Sequence, residues 1–139
     1  MKIYCCNCQD EVECRLTNGK EVYPHREDLW DKPFWKHDVC KGHVGCHHKT
    51  NKPTAPLGYI PTQEIKNYRR RIHLTIDHIW SNAKDPKKMR KLIYKDISSF
   101  IGREFHNAKI KSNEEGMKIL LYVNSKETQR KWQELEKNE

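Results

Sequence analysis

The chain has 139 residues, with 27 Lys+Arg against 19 Asp+Glu, a formal net charge of +8 and a mean hydropathy of −1.04. Its longest apolar run, Ile119 to Val123, falls far short of the roughly 20 residues of a membrane span, so no membrane partner is expected. Four Trp, six Tyr and regular apolar spacing exclude a disordered tail.

In chain order, Met1-Lys2-Ile3-Tyr4-Cys5 holds no apolar stretch of signal-peptide length, and a cytoplasmic protein is expected. Val12, Cys14 and Leu16 alternate with Glu11, Glu13 and Arg15, which predicts a half-buried strand. Asn18-Gly19 then signals a hairpin, with Lys20 to Tyr23 as the return strand, stopped by Pro24. A loop carrying Trp30, Pro33, Phe34 and Trp35 follows, then a short strand around Val44 and Cys46.

Pro53, Pro56, Gly58 and Pro61 mark a connector. Thr62 can cap a helix whose stripe is Ile65, Tyr68, Ile72, Ile76 and Ile79. Asp85-Pro86 starts a second helix with Met89, Leu92, Ile93, Ile97, Phe100 and Ile101 inside, stopped by Gly102. A short extended piece, His106 to Ile110, precedes a capping box at Ser112 and Glu115 and a third helix. Lys126 to Glu139 reads as a charged, solvent-exposed helix or tail. The expected fold is α+β, a small β-rich zinc ribbon packed on a three-to-four-helix module with one short strand. Its divisions are a ribbon at 1–54, a connector at 55–61, a basic helical module at 62–125 and the charged end at 126–139.

All six cysteines and five of the eight histidines fall within the first 48 residues. In a reducing compartment such clustering points to metal rather than disulfides. Cys5-x2-Cys8 is a knuckle whose turn aims two thiolates at one ion, and His37-x2-Cys40 has the same spacing. Gly42 follows, where a knuckle needs a permissive backbone. Cys5, Cys8, His37 and Cys40 are therefore the expected ligands of one structural Zn2+, with Cys6, His43, Cys46 and His47 as rivals. Cys14 is expected to be a small core residue.

The net charge is local. Residues 1–63 carry nine basic and eight acidic residues, residues 64–112 thirteen and five, and residues 113–139 five and six. Such a focus suits a polyanion. Lys66, Arg70 and Arg71 on the first helix are candidate phosphate contacts. Lys87, Lys88, Arg90 and Lys91 on the second join them. Trp30 and Trp35 are candidates either to stack bases or to close a small core. Arg69, His73 and Asp77 share a helix face and are the catalytic candidates, for a phosphodiester or nucleotide, against the alternative of a surface ion pair. No His-Glu-x2-His, phosphate-loop or Gly-x-Ser-x-Gly motif supports an enzyme.

The chain resembles a family of phage- and prophage-encoded zinc-finger-containing proteins. The resemblance rests on Tyr4-Cys5-x2-Cys8, Tyr23-Pro24-His25-Arg26-x-Asp28-Leu29, Pro33-Phe34-Trp35, His37-x2-Cys40-x3-Val44-Gly45, Pro56-Leu57-Gly58 and Arg69-x3-His73-x3-Asp77-x2-Trp80. The family has Cys where this chain has His37, a legal substitution at zinc. The resemblance implies the ribbon architecture and a phage association, and with it a host protein, such as a defence protein, as an alternative partner to nucleic acid. It implies no activity.

Overall fold

The structure, a computed structural model, describes residues 1–137. It separates into two compact units, Met1–Gln63 and Glu64–Glu139.

The first unit is built on five short strands. β1 (Lys2–Cys5) pairs antiparallel with β2 (Asp10–Glu13), Ile3 lying opposite Val12. β3 (Arg15–Asn18), β4 (Pro33–Lys36) and β5 (His43–Gly45) form an antiparallel sheet with β4 in the centre. The alternation expected to make one strand is cut at Cys14, where the chain leaves one sheet for the other. Cys14 is buried as expected and its N–H donates to Met1 O, whereas Leu16 is 45% exposed.

The expected Asn18-Gly19 hairpin does not form. Asn18 Oδ1 accepts from the Glu21 N–H and caps a single helical turn, α1 (Gly19–Val22). Gly19 is required for space, since a Cβ there would lie 1.8 Å from Leu29 O. The segment foreseen as a loop at Pro33-Phe34-Trp35 is the central strand. Pro33 is tolerated because it is the first residue of that strand. Trp30 and Trp35 donate their indole N–H groups to Pro24 O and Thr54 O, which ties both rings into the loops of the unit.

The segment expected as a bare connector is hydrogen-bonded to the ribbon. Leu57 N donates to Gly45 O, Ile60 N to Tyr4 O, and Cys6 N to Ile60 O. Ile60 is fully buried and packs with Ile3, Cys5, Cys14 and Val44 in one small core cluster.

The second unit is helical: α2 (Gln63–Ser81), α3 (Pro86–Ile101), α4 (Asn113–Asn124) and α5 (Lys126–Lys137). Its helix boundaries follow local chemistry. Asp85 caps α3 by accepting from the Lys88 N–H, Pro86 occupies the first helical position, and Gly102 ends the helix at φ 76°. Ser112 caps α4 by accepting from the Glu115 N–H, while the Glu115 carboxylate pairs with Arg103 at 2.6 Å. Ile65, Ile72, Ile76, Ile93, Ile97, Ile119 and Val123 fill the interior. The piece expected to be extended, His106 to Ile110, is instead a 3-10 turn at Asn107–Lys109 between extended flanks. The charged end is a helix that buries Trp132 completely and Thr128 almost so, because these two positions lie one turn apart on its inner face. Residues 138–139 of that segment lie outside the described residues.

Candidate metal centre

The two turns that matter most sit at strand ends. Cys5 closes β1, and residues 5–9 turn the chain into β2. His37 follows β4, and residues 37–42 turn the chain into β5. The two turns have the same backbone construction. Gln9 N donates to Cys5 O at 2.7 Å, and Lys41 N donates to His37 O at 2.8 Å. In each, the residue just after the second donor is left-handed: Gln9 at φ 56° and Lys41 at φ 66°. The permissive backbone foreseen at Gly42 is thus one residue earlier, at Lys41. Gly42 is needed for room instead. A Cβ there would lie 2.7 Å from Ile60 Cγ2 and 3.2 Å from Cys40 Sγ.

These matched turns bring Cys5, Cys8, His37 and Cys40 together, with one donor atom of each within 4.8 Å of all the others. Cys5 Sγ lies 3.6 Å from Cys40 Sγ, Cys8 Sγ lies 3.7 Å from His37 Nδ1, and His37 Nδ1 lies 3.2 Å from Cys40 Sγ. Zinc bonds of about 2.3 Å to sulfur and about 2.0 Å to nitrogen, at tetrahedral angles, separate two sulfurs by about 3.8 Å and sulfur from nitrogen by about 3.6 Å. These three separations lie within a few tenths of an ångström of that arrangement.

Electrostatics point the same way. Burial pushes the Cys5 thiol up, but the N–H of Cys8, the Cys40 thiol and the N–H of Asn7 outweigh it and hold Cys5 below the ordinary thiol value. Cys8 is pushed up to about 11 by local desolvation and by Cys5 and Cys40 beside it. Three sulfurs this close cannot all become thiolates without a cation between them, and a divalent ion removes that conflict. The Gly42 N–H, 3.3 Å from Cys40 Sγ, adds an outer-shell donor to that sulfur. The cluster is compatible with one structural zinc ion. Four protein donors fill a tetrahedron and leave no open position for a reacting water.

The rival ligands Cys6, His43, Cys46 and His47 are not part of this cluster. Cys6, Cys14 and Cys46 are buried, burial pushing the Cys14 and Cys46 thiols up. His43 packs edge-on against Tyr23 and Phe34.

In the helical unit, His73 Nδ1 lies 3.1 Å from Asp77 Oδ2, and Trp80 Nε1 donates to Asp77 Oδ1 at 2.8 Å. Arg69 points its chemistry elsewhere: Nη2 donates to Ile110 O at 2.6 Å, and its carbonyl accepts from Asn107 Nδ2. Lys66, Arg70, Arg71, Lys87, Arg90 and Lys91 are exposed, and Lys88 is half-buried. Ion pairs of this unit include those of Arg103, Lys131, His73 and His106. Arg70, Arg71, Lys87, Lys88 and Lys91 take part in no ion pair among the described residues. Arg90 lies over the Tyr94 ring at 4.4 Å. Lys87, Lys88, Lys91 and Lys95 line one shallow depression with Asp85 and Leu92, a row that sequence reading caught except for Lys95. No described helix is long and apolar enough to cross a membrane.

Two like-built knuckles that bring four Cys and His donors together, on short antiparallel strands, define a zinc-finger protein of the ribbon kind. The chain belongs to the family described as a zinc-finger-containing domain, whose model matches residues 1–126. Nothing among curated proteins or solved structures matches it.

Proposed function

We propose that this protein is a zinc-stabilised binding module that contacts the phosphate backbone of nucleic acid through the basic surface of its helical unit. Cys5, Cys8, His37 and Cys40 hold the ion, and the ion holds the ribbon. The observation that carries the reading is the row Lys87, Lys88, Lys91 and Lys95 along α3, whose charges are not spent on acidic side chains. Arg70 and Arg71 on α2 add exposed charge of the same kind. Unneutralised cations on one helix gain by releasing the counterions of a phosphate chain, and such binding has weak sequence preference.

Salt titration tests this directly. Labelled DNA and RNA, single- and double-stranded, are titrated at several salt concentrations. Affinity falls steeply with salt, and Lys87→Glu plus Lys91→Glu reduces the logarithmic slope on duplex by about two, at about 0.9 per lost phosphate contact. Absence of binding at low salt overturns the reading and leaves a host protein as the partner to seek by capture from bacterial lysate.

A further inference from the structure

Beside the lysine row, the helical unit holds a cleft of about 740 Å³ that shares only Asp85 and Lys88 with it. The end of α2, the turn after it, the start of α3 and the inner side of α5 line this cleft. The family match ends at residue 126, so the α5 wall lies beyond it. The size is that of a small-molecule pocket.

Three lysines reach the cleft from three segments: Lys84 from the turn after α2, Lys88 from α3 and Lys137 from α5. None of the three takes part in an ion pair among the described residues. Acids are at hand, since Asp85 and Glu136 line the same cleft. Each spends an oxygen on a backbone N–H instead. Asp85 Oδ1 accepts from Lys88 N at 3.3 Å, and Glu136 Oε1 accepts from Lys84 N at 3.0 Å. The lysine amines are left to a ligand. His78 adds a donor. Asn82 Nδ2 lies 3.4 Å from His78 Nδ1, and an amide nitrogen only donates, so the ring hydrogen sits on Nε2. Gln129 and Gln133 bring amide N–H groups. Cations set around a concavity focus their potential there more than a row on an open face does.

We infer that this cleft takes a phosphomonoester, the terminal phosphate of a nucleic-acid strand or of a free nucleotide. A monoester carries about 1.5 to 2 negative charges at neutral pH, whereas each backbone phosphate carries one. Amines that converge on one point therefore gain more from a chain end than from a chain interior. The interior of a strand runs on in both directions and stays on the open row, while an end can turn into the cleft. Lys88 borders both, so a strand seated on Lys87, Lys91 and Lys95 brings its end to the cleft mouth. The strand-end form rests on the proposed nucleic-acid reading, and the nucleotide form does not.

The experiment uses fluorescence anisotropy at fixed salt. It compares one internally labelled single strand with a phosphate at its 5′ end, at its 3′ end or at neither. The intact chain binds at least one phosphorylated strand about tenfold more tightly than the unphosphorylated one, the low end for a charge-assisted hydrogen bond. Lys84→Gln with Lys137→Gln, both exposed positions outside the row, abolishes that gain. The double variant lowers the affinity of the unphosphorylated strand far less, and thermal melts confirm that it remains folded. Adenosine monophosphate as competitor separates the two sources. If it erases the gain where adenosine does not, the cleft takes nucleotides as well as strand ends, and absence of competition confines it to ends. Equal affinity for all three strands, with the monophosphate binding no better than adenosine, overturns the cleft and leaves backbone binding standing. A gain that survives the double variant also overturns it. If no strand binds but the monophosphate does, and the double variant loses it, the cleft stands and the nucleic-acid reading falls. Failure of strands and monophosphate alike overturns both.

Discussion

The two units solve the problem of a small fold in opposite ways. The ribbon buries a small core and relies on four side chains that meet at a point. The helical unit buries long aliphatic stripes and Trp132. They also treat charge oppositely. In the ribbon, Arg15 bridges Glu21 and Asp38 at 2.8 Å each, Lys36 joins Glu21, and Arg26 pairs with Asp28. These three cations are consumed internally. In the helical unit the row along α3 is not. A unit held by metal needs few apolar residues, and its surface is free to balance itself. A unit held by its core can leave one face electrically unbalanced, and an unbalanced face is what a polyanion recognises.

The sharpest way to break this comparison is to remove the ion. A strong chelator, or Cys8→Ser, is expected to unfold the ribbon. Apparent zinc binding energies in finger peptides are about 10–16 kcal/mol, as large as the whole stability of a small domain. Amide spectra read the two units separately. Resonances of residues 2–60 should collapse to unfolded positions while those of α2 to α5 stay dispersed. A ribbon that keeps its dispersion without metal would mean that its small core suffices.

How much of this was legible in the sequence follows from the range of the interactions involved. The ligand quartet was readable because knuckle spacing is local: two donors two residues apart face one point whatever surrounds them. The left-handed residues after each knuckle were not, since Gln9 and Lys41 carry no glycine signature. Asn18-Gly19 misled for a related reason. The same pair serves a hairpin or a helix cap, and the neighbour that decides, Leu29 O, lies ten residues away. The helix starts at Asp85 and Ser112 were read correctly because capping is settled within four residues. The burial of Trp132 was hidden in a run of charges, where one aromatic per few turns makes no stripe.

That tryptophan gives the second test, aimed at the helical unit alone. Trp132 is fully buried, and its indole N–H donates to Asp96 Oδ2 at 2.8 Å. Trp132→Ala is expected to destabilise the unit by about 3–5 kcal/mol through the cavity left behind. Urea denaturation followed by the helical far-ultraviolet signal measures it. The metal content should be unchanged, which distinguishes this loss from that of the ribbon. A cost below about 1 kcal/mol would place α5 outside the cooperative core.

The smallest expected effect separates the two units by how they respond to acid. Asp96 is 11% exposed and receives Trp132 Nε1, Tyr122 Oη at 2.6 Å and Lys131 Nζ. Burial pushes its carboxyl up, but hydrogen bonds from Lys131, Tyr122 and Trp132 outweigh that and hold it below the ordinary 3.8. A carboxylate depressed by folding stabilises the fold above its unfolded value, and that contribution is lost as pH falls through the folded one. The helical unit should therefore lose stability only below the ordinary aspartate range. Asp96→Asn should cost about 1–2 kcal/mol at neutral pH and flatten that acid limb. Glu21, Asp28 and Asp38 of the ribbon are also held below the ordinary carboxylate range by their arginine partners. Their pairs lie in solvent, where salt screens them, so acid loss in the ribbon should shrink with added salt. The partly buried Asp96 cluster should keep its acid limb at the same salt, because solvent ions do not reach between Trp132 and Tyr122. Stability measured against pH at low and high salt, in the wild type and in Asp96→Asn, reads both trends at once. An acid limb that survives Asp96→Asn would move its origin to another carboxylate.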